Sequence, residues 1–557
     1  MSDKVTPEPT TGTQWGRVLI CGGTDWPKLG KKERGGAAKG DGDDYDRPDL
    51  LEPYILRSLS NIAIASVHTS CSGCHFVCLD VDGAAWLFGR NAYCALGIAG
   101  DEYISENAPM RVVPADLGAG KGTRFVHAAC GRNHTLLVGS DGNVWSAGQN
   151  NLGQCGHAVC PEVTSFKLIT GISHNGEKER VVKASAGVTF SIVLTESGKV
   201  FSFGSAEKGQ LGNGTTGERI TTGNKTAFDI ECNPIYIKEL DGKKIVQITS
   251  GQQHSLALDD AGVVYVWGYN GYCRLGLGNQ VDVLKPKAVP QFAGPDDPMM
   301  GARIAAGPTN SVVVDKQGMY WMAGKWKNSG EGSSGSPYST FRYMQDIMGC
   351  KISLARSGGV THWALTPDED DTVMTVAWGQ NAANGELGLG PDEPKSATKP
   401  TKCAPLLGVE VFDIAAGQNT TVFLAKPNEK MSELPRHPED VQPPPLCVVC
   451  GTERGEDDSP LACDKCDAPY HLGCLTPALS AVPPGEWFCV ECTRKPGAPI
   501  GRYPPRKGKL HKPAPAPAEN GKRDEEDEQE PGAAARGKRK APSAAKGKAG
   551  APKRKKQ

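Results

Sequence analysis

Two short patterns of apolar and polar positions recur along the first three quarters of the chain. In the first, an apolar strand-like run leads into Gly-x-x-His and then a second apolar run. It is clearest at Gly131-Arg-Asn-His134-Thr-Leu-Leu-Val and at Gly251-Gln-Gln-His254-Ser-Leu-Ala-Leu. Weaker copies read Gly187-Val-Thr-Phe190, Gly307-Pro-Thr-Asn310, Gly359-Val-Thr-His362 and Gly417-Gln-Asn-Thr420, and a degenerate one reads Cys71-Ser-Gly-Cys-His75. The second pattern is a short strand ending in an aromatic or apolar residue before Gly, followed by Leu-Gly. Its best copy runs from Gly262 through Trp267-Gly268 to Leu275-Gly276. Relatives start at Gly83, Gly142, Gly198 and Val376, with a worn copy at Gly318 and another at Gly16, so each pattern occurs seven times. Paired strands that are apolar on both faces cannot bury themselves alone, so such units stack around an axis. Residues 15–426 give 412 positions, about 59 per unit. The series begins with the second pattern and ends with the first. One blade is therefore built from both ends of the segment, which closes the ring and removes free sheet edges. The fold class this predicts is mainly β: a seven-bladed propeller over 15–427, after a flexible segment 1–14, closed by N- and C-terminal strands.

The 69 Gly and 41 Pro suit many short strands joined by turns. The net charge of −1 hides an asymmetry. From Thr493 to Gln557 there are 19 Lys plus Arg against 7 Asp plus Glu, a balance of +12 that leaves −13 for the rest. Residues 495–557 hold almost no large apolar side chains and are expected to be disordered. Within them, Lys538-Arg539-Lys540 and Lys553-Arg554-Lys555-Lys556 look like a bipartite nuclear import signal. The tail is expected to place the protein in the nucleus and to contact DNA non-specifically through phosphates. Residues 428–445 repeat Pro and read as a semi-extended spacer that cannot pair into a sheet and that decouples the propeller from the segment after it, so that each is expected to fold independently. The N-terminus is not a secretory signal, which suits free thiols in a reducing compartment, and no apolar run reaches membrane length.

Eight metal-ligand residues follow the spacer: Cys447, Cys450, Cys463, Cys466, His471, Cys474, Cys489 and Cys492. Their paired spacing closes two tetrahedral sites, and thiolate with imidazole is what structural zinc prefers. A segment as short as 446–494 has little core of its own, so two structural Zn2+ would supply most of its folding energy. No Walker loop, no Gly-x-Ser-x-Gly and no open zinc position is present, and the chain is not expected to be an enzyme.

Two family resemblances sharpen these readings. The ligand order, with Cys463-Asp-Lys-Cys466-Asp-Ala-Pro-Tyr-His471-Leu-Gly-Cys474 and Pro483-Pro-Gly-Glu-Trp487-Phe-Cys489, resembles the plant homeodomain (PHD) finger; a RING finger would put His earlier. The resemblance implies interleaved sites, Cys447, Cys450, His471 and Cys474 holding one zinc and Cys463, Cys466, Cys489 and Cys492 the other. It also implies that a histone tail adds as a strand beside Leu461, Ala462 and Cys463. Pro469 stands where readers of trimethyl-lysine often carry Trp, and Glu456, Asp457 and Asp458 offer carboxylates for an unmethylated ammonium. The expected histone contacts are Glu456, Asp457, Asp458, Leu461, Asp464 and Gly485, and the expected ligand is the unmethylated histone-three N-terminus. Trp487 is expected to pack under the second zinc site. The repeats resemble the regulator of chromosome condensation family, the propeller of the Ran guanine-nucleotide exchange factor and its relatives. That implies a partner protein on the propeller face. The chain then reads as a chromatin adaptor, with exchange on a Ran-like small GTPase as the alternative, favoured by long insertions at 157–180 and 213–244. His75, His134, His254 and His362 recur once per blade and are expected to be hydrogen-bonded structural residues rather than a metal ring.

Overall fold

The computed structural model describes residues 14–30, 47–295, 297–368, 372–439, 441–452 and 461–494. Seven sheets of four or five strands are arranged in chain order, each running outward from an innermost strand. The blade made of Phe125–Cys130, His134–Gly139, Val144–Gln149 and Glu162–Leu168 is typical. Its middle strands are buried along their length because both faces pack on neighbouring blades. The residue before the recurring Gly fills those inter-blade cores: Trp267 and Trp378 are wholly buried. The Gly itself has a steric reason. At Gly148 and Gly204, φ is +116° and +117°, and a Cβ would sit 2.4 Å from Asn133 O and 2.5 Å from Thr189 O.

Ring closure follows the order of the repeats. The last blade runs Val411–Ala416, Thr420–Ala425, Arg17–Gly22, Leu50–Leu56, so two strands come from each end of the propeller segment. Arg17 to Gly22 pair antiparallel with Ala425 back to Thr420 without a break.

The recurring His turns out to be an inter-blade fastener. His75 Nε2 lies 2.8 Å from Thr135 Oγ1, His134 Nε2 2.9 Å from Ser191 Oγ and His254 Nε2 3.1 Å from Ser311 Oγ, each in the next blade. Those hydroxyls already donate to the carbonyls of Ala95, Gln154 and Arg274. The imidazoles must therefore donate from Nε2, which fixes their tautomer. Burial pushes His75 down to about 4 and His134 to about 3, so both stay neutral. The fourth expected member is corrected. In that blade Gly358 N–H donates to Thr361 O and Thr361 pairs Gly379, the register in which His134 pairs Gly148. Thr361 holds the slot; His362 is one residue on and stacks against Trp378 at 5.5 Å. The sequence alignment slipped because Gly358 and Gly359 are adjacent and either can open the motif. In one blade the slot is Phe190, so His134→Phe should be tolerated, costing about 1 kcal/mol for the lost hydrogen bond in urea unfolding.

A second slot carries a pH signal. Leu152 N–H donates to Gln154 Oε1, Lys208 N–H to Gln210 Oε1 and Asn384 N–H to Glu386 Oε2. Glu386 thus stands where other blades use Gln. It is buried, its Oε1 has no partner, and burial pushes its carboxyl up to about 7. A raised folded-state value means the folded protein binds the extra proton, so stability falls as pH rises from the unfolded value of about 4.3 toward 7. Glu386→Gln keeps the accepting oxygen and removes the charge. It should stabilise the protein above pH 7 by on the order of 2 kcal/mol and flatten the pH dependence across that window, as read by thermal melts at pH 5 and pH 8.

Two expectations about the connection to the finger are overturned. The segment read as an unpaired spacer enters the fold. Glu429–Ser432 forms one helical turn capped by Asn428, whose Oδ1 accepts from Met431 N–H at 2.8 Å. Arg436–His437 then pairs in parallel with Ile55 and Leu56, a fifth strand on the closing blade. Pro435 and Pro438 flank that strand, so no N–H is demanded from Pro inside it; Pro435 instead accepts from Ile55 N–H. His437 is buried and lies 2.8 Å from the buried Glu106, whose other oxygen takes Trp26 Nε1–H at 2.6 Å. The second correction, to the independence of finger and propeller, follows from the site itself.

Candidate functional site

The eight ligands come together as two groups. Cys447, Cys450, His471 and Cys474 form one, and Cys463, Cys466, Cys489 and Cys492 the other, with the ligand atoms of each within 4.8 Å of one another. Local structure brings them in. The short pair Leu461–Ala462 and Pro469–Tyr470 places the Cys463 and His471 loops side by side. A one-turn segment, Leu472–Cys474, delivers Cys474, and the helix Val490–Arg494 carries Cys492. His471 faces the first group through Nδ1, 3.3 Å from Cys450 Sγ and 3.8 Å from Cys474 Sγ. Backbone N–H groups brace the thiolates: His471 N–H donates to Cys447 Sγ at 3.4 Å and Cys489 N–H to Cys463 Sγ at 3.3 Å. Four thiolate or imidazole donors per group, with no fifth His, Cys, Asp or Glu converging among the described residues, suit two closed structural zinc sites. Trp487 packs edge-on to Tyr470 at 5.4 Å beside the second group, as expected. Among the described residues no other cluster of His, Cys, Asp or Glu converges in this way, and no helix is long and apolar enough to cross a membrane.

The second zinc loop is bound to the propeller. Arg57, buried to 5% exposure, donates from both Nη atoms to Asp467, at 2.9 and 2.7 Å. Its Nε–H goes to Pro438 O at 2.9 Å. Lys465, also buried, donates to Ser58 O and Asn61 Oδ1, both at 2.9 Å, and Asn61 Nδ2–H reaches Cys492 O at 2.8 Å. Burial pushes the Lys465 ammonium down, and negative charge on the Cys492, Cys463, Cys466 and Cys489 thiolates opposes this. Arg17, from the third strand of the closing blade, pairs with Glu486 at 2.8 Å and lies over the Phe488 ring. Arg436 donates to Asp464 Oδ1 at 2.9 Å, while Asp464 Oδ2 takes Trp487 N–H at 2.6 Å. Arg57 is buried while the Asp467 side chain stays 37% exposed, and the bidentate geometry makes the contact stronger than a single-bonded surface ion pair.

This docking changes the standing of the sequence-derived histone contacts. Both oxygens of Asp464 already accept one hydrogen bond within the chain, which takes about two of its four lone-pair sites and fixes its orientation. Leu461 is half-buried on the short strand, and Gly485 is exposed with φ of +79°. Glu456, Asp457 and Asp458, and the import residues Lys538, Arg539, Lys540, Lys553, Arg554, Lys555 and Lys556, lie outside the described residues. Arg17, Arg57, Asn61 and Arg436 were missed. Their only sequence signal is that two arginines, Arg17 and Arg57, interrupt strongly apolar runs.

The class defined here is a closed seven-bladed propeller carrying a cross-braced two-zinc finger. Residues 17–423 match the family model of the RCC1-like domain and residues 447–492 that of the PHD-finger. The chain belongs to the RCC1-like family. It is 31% identical over 446 residues to Protein RCC2 homolog of Xenopus laevis, covering 76% of this chain and 81% of that one. Protein RCC2 of Homo sapiens is 29% identical over 444 residues, covering 76% and 79%. Two solved structures share the fold. Prp20p from Saccharomyces cerevisiae, whose structure is described with its binding to Gsp1p and histones, gives a TM-score of 0.57 at 19% identity, covering 76% of this chain and 94% of that one. Human WBSCR16 gives 0.57 at 23%, covering 74% and 99%.

Proposed function

We propose that this protein is a nuclear, chromatin-associated adaptor that reads the unmethylated N-terminal tail of histone three through its finger and recruits a partner protein through its propeller. The observation that supports it best is which side of the finger is left over. Docking uses the loop Asp464 to Asp467, Glu486 and the Cys492 carbonyl. The Leu461–Ala462 strand pairs on one side with Pro469–Tyr470, and no hydrogen bond among the described residues ties it to the propeller. A tail can add on that edge by backbone hydrogen bonds while the finger stays docked. Pro469 is buried and no aromatic stands in its place, which disfavours a cage for a quaternary ammonium. Glu456, Asp457 and Asp458, from the sequence, supply acceptors for an ammonium that can donate. Changing Asp457 and Asp458 to Ala should flatten the preference for the unmethylated peptide while leaving two zinc ions per chain; an unchanged preference counts against their role. The basic tail holds DNA through phosphates and carries the import signal, so deleting 537–557 should exclude the protein from the nucleus and shallow the salt dependence of DNA binding.

A second reading has one specific observation behind it. Within the 213–244 insertion, Arg219–Thr221 and Lys225–Ala227 form a separate two-stranded hairpin, with Ile220 76% exposed. A projecting wedge of this kind suits an exchange factor for a Ran-like GTPase, and Prp20p, which shares the fold, is described with Gsp1p binding. Accelerated release of labelled nucleotide from such a GTPase, lost on deleting the hairpin, would select this reading.

A further inference from the structure

The innermost strands carry a repeated irregularity. The register shifts between Phe125 and His127, Val181 and Lys183, Ile245 and Gln247, and Val411 and Asp413. His127, Lys183, Gln247 and Asp413 follow these bulges and line a cavity of about 390 Å³ walled by the innermost strands of the blades, with His68 and Arg356. Much of this polar ring is used between blades. Ala184 N–H donates to His127 Nδ1 at 3.3 Å, Ile304 N–H to Gln247 Oε1 at 3.0 Å, and Arg356 donates to Asp413 Oδ1 at 2.8 Å and to Ile414 O at 3.0 Å.

Two groups are left over. The Lys183 ammonium meets only the Val246 carbonyl, at 3.2 Å, and no carboxylate pairs with it among the described residues. His127 accepts at Nδ1, so its neutral ring carries the proton on Nε2, where no described residue accepts it. Its ring stands edge-on to His68 at 4.8 Å. Burial holds both imidazoles below their ordinary range, His68 down to about 3. The cavity therefore holds two cationic side chains, Arg356 and Lys183, against the one carboxylate of Asp413, with neutral donors beside them. Leaving a half-buried ammonium without a counter-charge is costly.

We propose that this axial cavity binds a small oxyanion of the phosphate class, held by Lys183 and the His127 Nε2–H with Arg356 nearby. A tetrahedral oxyanion accepts hydrogen bonds from several sides at once, which suits donors arranged on different strands around an axis. The site is separate from the finger and does not rest on histone reading. The probes are inorganic phosphate and pyrophosphate, titrated calorimetrically into the full chain at constant ionic strength. One saturable site is expected, with affinity at least about tenfold lower in Lys183→Gln and kept within about threefold in Lys183→Arg. The basic tail also attracts anions, and binding there would leave Lys183→Gln equal to the native chain, which would overturn the proposal, as would absence of a saturable site. Should Lys183→Gln not fold, imidazole proton resonances decide. Phosphate must shift His68 and His127 and spare the inter-blade His134; no shift at either ring refutes the site.

Discussion

Cys466→Ala is expected to loosen the propeller as well as unfold the zinc lobe that carries it. Removing one thiolate leaves the second site with three protein ligands, and structural zinc in finger peptides is worth about 10–16 kcal/mol of folding free energy at neutral pH. Loss of that loop strips the propeller of the partners of Arg57, Ser58 and Asn61, and takes Glu486 from Arg17. Once the loop has left, the Arg57 guanidinium exchanges its bidentate carboxylate for water, and hydrogen bonds to charged groups worth about 1.5–3 kcal/mol each no longer hold the segment that carries it. These residues sit on the closing blade and the segment that follows it, so the ring is weakened where its two ends meet. Hydrogen exchange should show deprotection of 50–62 together with 461–494, while blades such as 125–168 keep their protection. Exchange confined to the finger would show that docking adds nothing to the ring. Chelation of zinc from the native chain should reproduce the pattern.

Arg57→Ala should separate docking from zinc binding. It removes two hydrogen bonds to Asp467 and one each to Pro438 O and Lys465 O. The carboxylate left behind, Asp467, is 37% exposed and can be hydrated, so losing the hydrogen bonds of Arg57 is expected to cost about 1.5–3 kcal/mol. The finger is expected to keep two zinc ions, because no ligand is touched, but to leave the propeller surface. Limited proteolysis near 441–446 should become fast, and small-angle scattering should show a more extended particle. Arg57→Lys should fall between, since a single ammonium cannot satisfy both Asp467 oxygens and two carbonyls at once. A variant as resistant and compact as the native chain would mean that the Arg17, Lys465 and Arg436 contacts hold the finger without it.

How legible these features were in the chain depended on whether their cause was local. The blades could be read because each repeats its own strand pattern, and the closure because the order of the two patterns forces it. The zinc sites could be read because eight ligands at fixed spacing have one chemical use. The register of the blade that carries Thr361 could not: Gly358-Gly359 offers two starts for one motif, and only the pairing of Thr361 with Gly379 decides. The segment 428–445 was misread because its prolines argue against a strand in general. They do not forbid the two residues between Pro435 and Pro438 from pairing at an edge. The docking surface left almost no trace. Arg17, Arg57, Asn61 and Arg436 are scattered over 420 positions, and nothing periodic links them. Asp464 shows the consequence for function. As a sequence it is a carboxylate beside the predicted peptide strand; in the fold it is held by Arg436 and the Trp487 N–H.

That the docked finger reads an unmethylated tail is tested most directly by titrating the full-length, zinc-loaded protein with two histone-three N-terminal peptides, one with an unmodified lysine and one trimethylated at it. Trimethylation removes every donor from the ammonium, and unpaired acceptors typically cost about 1–3 kcal/mol. The unmodified peptide should therefore bind more tightly by roughly 5- to 150-fold. Tighter binding of the trimethylated peptide, or binding of neither by protein shown to hold two zinc ions, would contradict it.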